Sequence, residues 1–189
     1  NLLAASHTPI YSALTVMESR QERMKHMTQK QKIRRSKFAL FLDTAPGAQT
    51  PVWELVGDGV TEMSVAYNPQ TSEAVYVNQD SGTTDVESYK PTIAAPMTAL
   101  AGDPVFEFVD GLRIGRKVLS DCETSCLMVY LYKEAVDGKY PAERNACSVQ
   151  IDEFGGAGGE AAKLSFTLNL QGGPQQGLFD PVQRVFTAE

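Results

Sequence analysis

Residues 102–118 read GDPVFEFVDGLRIGRKV, and the rest of the chain takes its meaning from this stretch. Asp103 is a good helix N-cap, and Pro104 fits the first helical position, where a missing N–H costs nothing. Val105, Phe106, Phe108, Val109 and Leu112 recur at helical spacing and form one apolar stripe. Glu107 and Asp110 lie early and Arg113, Arg116 and Lys117 late, as the helix dipole favours. Gly111 and Gly115 weaken the second half, so the helix is expected to end between Arg113 and Lys117. A single amphipathic helix has to bury its stripe on something, and the segments on either side of it are written as strands.

After the helix, residues 123–132 are apolar on both faces, with Cys126, Met128 and Tyr130 against Leu127, Val129 and Leu131. Such a strand is expected to be covered on both sides. Asp137-Gly138 and Pro141 mark a hairpin loop. Residues 146–152 alternate, Cys147, Val149 and Ile151 inward against Ser148, Gln150 and Asp152. A glycine-rich turn over residues 154–160 leads to residues 163–170, where Leu164, Phe166, Leu168 and Leu170 oppose Lys163, Ser165, Thr167 and Asn169. Gly172-Gly173-Pro174 reads as a further turn, and residues 178–179 and 182–186 as a closing edge.

Before the helix, residues 38–42 and 52–56 read as strands, the second with Trp53, the one tryptophan of the sequence. Residues 61–67 alternate, with Met63, Val65 and Tyr67 on one face, and Asn68-Pro69 turns the chain into residues 73–77, so these two segments read as a hairpin. Residues 78–91 (NQDSGTTDVESYKP) are polar and acidic with no stripe, and read as a long loop of the kind that often carries function. Residues 92–98 return as a strand. The sum is a mainly β chain of about eight antiparallel strands, a sandwich or open barrel with one flanking helix, over residues 37–189.

Residues 1–36 form a basic arm ahead of that domain. Eight of the 17 Lys and Arg lie up to Lys37 against Glu18 and Glu22, whereas 21 of the 23 Asp and Glu lie beyond it. Beside so acidic a body the arm reads as a solvated helix or as a segment docking on an acidic neighbour, ahead of nucleic acid. Met27 resembles a translation start, so residues 1–26 read either as an upstream extension or as part of the working protein. The mildly apolar residues 1–16 lack the basic lead-in and compact centre of a signal peptide, and no apolar run approaches the roughly 20 residues needed to cross a bilayer.

The chemistry is sparse. His7 and His26 both lie in the arm, which removes Ser-His, Cys-His and histidine-metal schemes from the body. Cys122 and Cys126, four apart in an expected strand, would sit roughly 13 Å apart at about 3.3 Å per residue, too far for a disulfide. With Cys147 they read as reduced, mostly buried thiols, without zinc. GGAGGE lacks the Lys-Ser/Thr of a phosphate-binding loop, and Asp80, Asp85 and Glu87 lack the alternate spacing of a calcium loop. No cofactor, metal or catalytic residue is expected. Three strands, presenting Glu62 and Ser64, then Ser148, Gln150 and Asp152, then Ser165, Thr167 and Asn169, offer small polar faces with few cations. Such a surface suits the wall of a wet channel that nucleic acid passes without sticking, since phosphate affinity comes mainly from Lys and Arg.

The succession VWELVGDGVTEMSVAYNP, TTDVESYKP, GDPVFEFVDGLR, VQIDEFGGAGGE and the LSFTLNLQGGPQQGLFD ending resembles the major tail tube proteins of long-tailed bacteriophages of Gram-positive hosts and their prophages. The resemblance runs from about residue 34 to 180. It implies a β-sandwich or barrel whose copies form hexameric rings stacked into a tube, their inner sheets joined into one continuous barrel through which DNA leaves the virion. The partners it implies are the chain itself, a tape-measure protein in the lumen, tail-tip or baseplate and tail-terminator proteins, and no membrane, in a virion tail assembled in the host cytoplasm. Within residues 78–91, Asp80, Thr84, Asp85, Glu87 and Tyr89 would touch a neighbouring subunit or ring. Asp103, Phe106 and Arg113 would lie near the subunit boundary, and residues 152–160, with Asp152 and Glu160, on a ring face. The other readings are a tube subunit of a contractile or type VI-like injection system, and a carbohydrate- or protein-binding sandwich, against which the scattered Trp53 and tyrosines argue.

Overall fold

The computed structural model describes residues 30–78 and 80–189. Residues 1–29 of the expected arm, with His7 and His26, lie outside the described residues, and Arg35–Glu189 forms one compact unit. In chain order its elements are β1 (Phe38–Asp43), β2 (Trp53–Leu55), β3 (Ser64–Ala66), β4 (Pro69–Ala74), β5 (Thr83–Tyr89), β6 (Thr92–Thr98), helix α1 (Pro104–Gly115), β7 (Glu123–Tyr130), β8 (Tyr140–Gly155), β9 (Lys163–Asp180) and β10 (Val185–Ala188). Eight strands form one antiparallel sheet in the order β2-β1-β7-β8-β9-β6-β3, with β10 also on β9, while β4 and β5 pair only with each other. The mainly β, antiparallel architecture with one flanking helix is the one expected from the alternation.

Strands β8 and β9 are long enough to serve both halves of this sheet. The first half of β9 pairs with β6, from Lys163 opposite Thr98 to Asn169 opposite Thr92. Its last residues pair with β10. Two hydrophobic clusters follow. The larger takes Leu40 and Leu42, Ile93, Ala95 and Met97, Cys126 and Met128, Cys147 and Val149, and Leu164, Phe166 and Leu168, closed by Val105 and Val109 of α1. The smaller gathers Phe41, Trp53, Leu127, Val129, Ala142 and Phe179, with the Phe41 and Phe179 rings 4.7 Å apart. Alternate residues of β1 and β7 enter opposite clusters, which accounts for the two apolar faces of residues 123–132. Each large side chain so buried contributes about 1.5–3 kcal/mol.

The helix forms as its sequence predicts. Asp103 Oδ1 accepts the Phe106 N–H at 2.7 Å, Pro104 is its first residue, and Arg116 ends it in the left-handed region with φ 46°. The N–H groups of Arg116 and Lys117 return to the carbonyls of Arg113 and Leu112, satisfying two of the carbonyls that a helix end leaves open. Phe106, Phe108 and Leu112 pack half-buried on the larger cluster beside Val105 and Val109.

Four expectations are corrected. Residues 61–67 do not pair with residues 73–77: β3 pairs with β6, Ser64 opposite Ala94. Residues 78–91 are not a loop, since seven of them are β5, zipped to β4 from Tyr89 opposite Pro69 to Thr83 opposite Ala74. Asn68 explains both. At φ 43° it turns the chain outward, and its Nδ2 donates to Lys90 O and Thr92 Oγ1, both at 3.1 Å, tying the two ends of the excursion together. Gly172-Gly173-Pro174 is not a turn, because β9 runs through it. Arg144 stands opposite Gln175 and Ala146 opposite Gln171, so the extra residues bulge from β9, with Gly172 at φ 66°. Cys122 lies in a short 3-10 turn, Leu119–Cys122, ahead of β7 and not in a strand.

Candidate assembly surfaces

Strands β3, β6, β9 and the second half of β8 make a four-stranded wall with two distinct faces. Its inner face is the larger cluster. On its outer face Ser148 stands opposite Asn169 and Gln150 opposite Thr167, and Thr92, Ala94, Pro96 and Thr98 stand opposite Asn169, Thr167, Ser165 and Lys163. Ser64 and Ala66 of β3 continue the row. All five residues expected to line a channel, Ser148, Gln150, Ser165, Thr167 and Asn169, therefore share this one surface.

A hydrogen-bond ladder fixes the polar groups there. Thr167 Oγ1 donates to Asp152 Oδ2 at 2.7 Å, Gln150 Nε2 to Asp152 Oδ1 at 2.7 Å, and Asn169 Nδ2 to Gln150 Oε1 at 3.2 Å. Short side chains satisfied by one another leave a wettable wall whose charges are Asp152, Lys163 and Glu153, which stands opposite Ser165. The sequence reading missed Ala94 and Pro96, because their place on this face depends on the β6–β9 register and not on local alternation.

Both sides of the wall are open among the described residues. β7 accompanies β8 as far as Ser148, opposite Glu123, and beyond it β8 has β9 as its neighbour. At the other side β3 ends the sheet. Beside the open part of β8 lies a cleft of about 590 Å³ lined by Leu112, Arg113, Arg116, Lys117, Ser148 and Gln150, among others. Ile114, Val118 and Leu119 are exposed around it. Arg113 is engaged within the subunit: its Nε donates to Asp110 Oδ1 at 2.7 Å, and its guanidinium stacks 3.9 Å from the centre of the Phe154 ring. That stack ties the helix to the end of β8, where Asp152 is exposed, as is Glu160 in the turn beyond. Asp103 and Phe106 likewise serve the helix, as cap and as packing.

The β4–β5 hairpin is the second unusual surface. Every residue of β5 is exposed, placing Thr84, Asp85, Glu87 and Tyr89 along one exposed strand and Asp80 in its turn. Glu87 is the extra residue at a bulge between the pairs of Gln70 and Thr71. Tyr89 meets Tyr67 edge to face at 6.3 Å at the base. Val75, Tyr76, Val77 and Val86 are also exposed, and the sequence reading passed over them. The run of Thr83, Thr84, Val86 and Tyr89, residue types favoured in strands, was the available signal. A lone two-stranded hairpin is marginal in water, and this one exposes four large apolar side chains.

No constellation for chemistry accompanies these surfaces. Among the described residues no three His, Cys, Asp or Glu side chains come together. The thiols of Cys126 and Cys147 meet inside the larger cluster, and their hydrogen bond, with burial, pushes the Cys147 thiol far above its ordinary range. It therefore stays protonated and unreactive. Burial, aided by Glu143, pushes the Tyr130 phenol up as well.

No family model matches the sequence, and no curated protein matches it. Solved structures do match the fold. The SPP1 tail tube superposes with a TM-score of 0.60 at 12% identity, over 77% of this chain and 78% of that one. A chain from the tail of an empty gene transfer agent particle, solved with C6 symmetry, superposes with a TM-score of 0.55 at 13% identity, over 83% of this chain and the whole of that one. A chain of the native gene transfer agent virion gives 0.52 at 12% identity. The fold of this chain, with its long β8–β9 pair and single flanking helix, is the fold seen in a phage tail tube and in gene transfer agent tails.

Proposed function

We propose that the chain is a structural subunit that assembles into the tube of a phage tail, with no enzymatic role. The observation that carries this reading is the four-stranded wall: polar, nearly uncharged and hydrogen-bonded outside, apolar inside, with an open strand on each side. Joined β3 to β8 from copy to copy, such walls close into one barrel, and closure removes the exposed strand edges that otherwise invite aggregation. The polar face then lines the lumen, with Ser148, Gln150, Ser165, Thr167 and Asn169 toward a tape-measure protein before ejection and toward DNA during it. A wall with one lysine against an aspartate and a glutamate offers phosphates little to hold, which suits a conduit.

The rings are hexameric, and the hairpin carries the contact between copies through Asp80, Thr84, Asp85, Glu87 and Tyr89. The helix, with Asp103, Phe106 and Arg113, backs the subunit boundary beside the open part of β8, and Asp152 and Glu160 sit toward the next ring. The tube ends on tail-tip and terminator proteins, belongs to a long-tailed phage or prophage of a Gram-positive host, and is assembled in that host's cytoplasm. The sixfold symmetry of the gene transfer agent tail and the sequence motifs support this arrangement. Negative-stain electron microscopy of the purified protein at rising concentration tests it. Stacked rings or hollow tubes are expected, and a field of small monomers at every concentration would refute it.

A further inference from the structure

We propose that Arg113 is a positioning residue for assembly, clamping the unpaired end of β8 in the extended form that a neighbouring copy meets, an inference that rests on the assembly reading above. β7 leaves β8 at Ser148, so from residue 149 onward β8 has β9 as its one neighbouring strand among the described residues. The turn beyond is rich in glycine, with Gly155, Gly156, Gly158 and Gly159, and lends the strand end little stiffness. A strand end held on one side alone is prone to local opening. Helix α1 holds it on the other, through one side chain. Arg113 Nε donates to Asp110 Oδ1 at 2.7 Å, and the guanidinium so oriented lies 3.9 Å from the centre of the Phe154 ring.

A bulge in β8 delivers Phe154 to that position. Ile151 stands opposite Phe166 and Glu153 opposite Ser165, so Asp152 is the extra residue. Cys147, Val149 and Ile151 face the larger cluster, and by strict alternation Phe154 would share the polar face with Ser148 and Gln150. The bulge reverses the alternation and sets Phe154 opposite Leu164, a residue of the larger cluster on which the helix packs. Bulges re-aim side chains in this way beside functional surfaces. This one is itself pinned, because the Asp152 carboxylate accepts from Thr167 Oγ1 and Gln150 Nε2. Phe154 stays 43% exposed, so the stack adds little to the core and serves instead to direct the strand end. A joining copy then meets an edge already ordered, which lowers the ordering cost of association.

The test compares Arg113→Ala, Phe154→Leu and the double variant with wild type in the full chain, with Asp110→Asn to loosen the guanidinium without removing it. Urea unfolding and amide exchange are read on the monomer, and elongation is read from wild-type tube seeds. Loss of the stack should speed exchange of the amides joining residues 153–155 to residues 163–165 about tenfold and slow elongation by a similar factor. Exchange in β7 and the urea midpoint should stay near wild type, and Asp110→Asn should fall between wild type and Arg113→Ala. The double variant should be no slower than either single one, since both remove the same contact. Faster exchange throughout the domain, or wild-type exchange and elongation in Arg113→Ala, would overturn the clamp and leave the tube standing. Wild-type protein that forms neither rings nor tubes at any concentration would overturn the tube reading and the clamp with it.

Discussion

Tyr76→Ser combined with Val77→Ser separates assembly from folding. Val77 is fully exposed in the subunit and Tyr76 is 54% exposed, so neither supports the fold to any extent. Full burial of Val77 in a neighbour is worth about 1.5 kcal/mol, and burying the exposed half of Tyr76 about the same, some 3 kcal/mol in all. At 1.4 kcal/mol per decade, the concentration at which tubes appear should rise about a hundredfold. The unfolding free energy of the monomer should stay within about 0.5 kcal/mol of wild type, as for other exposed substitutions. Light scattering against concentration gives the first quantity and urea unfolding the second. A large loss of monomer stability would mean that the tip packs within its own subunit, and an unchanged threshold would mean that it touches no neighbour. Either result refutes the reasoning.

Three other substitutions probe separate surfaces. Ser165→Lys with Thr167→Lys places two cations per subunit on the polar wall and should slow DNA ejection from particles built with it, with added salt restoring the rate; unchanged ejection would mean that this face is not lumenal. Tyr130 holds its proton more tightly folded than unfolded, because burial and Glu143 raise its pKa. Its contribution is therefore intact below about pH 10 and drains away as the pH climbs higher, so thermal melts from pH 9 to 11 should fall less steeply for Tyr130→Phe than for wild type. Gly177→Ala would put a Cβ against the Thr187 carbonyl and 2.7 Å from the Phe186 ring, at a cost of about 1–3 kcal/mol, seen in urea unfolding and in faster amide exchange at Phe186. Normal exchange there would show that β10 is not seated on β9 as described.

What was legible in the sequence was local. Helix α1 could be read to within its last turn because Asp103, Pro104, the apolar stripe and Arg116 act within a few residues of one another. The polar face of β8 and β9 could be read because alternation holds over residues 146–151 and 163–169, ahead of the bulge in β9. The partners of each strand could not. Residues 61–67 alternate cleanly, yet whether they join residues 73–77 or residues 92–98 is decided by Asn68, whose amide grips Lys90 and Thr92 far along the chain. Gly172-Gly173-Pro174 has the composition of a turn, and pairing with β8 on both sides of it makes it a bulge instead. Residues 78–91 look like a loop because their apolar residues are few, and β5 is exposed along its whole length.

Strand β9 places Leu164, Phe166 and Leu168 in one hydrophobic cluster and Phe179 in the other, so neither cluster can loosen while the other stays whole. The main sheet is thus expected to unfold as one unit, while the β4–β5 hairpin stands outside both clusters. In the proposed tube, bending and stretching would have to be absorbed where copies meet. A column of this kind is supple at its joints and stiff in its links.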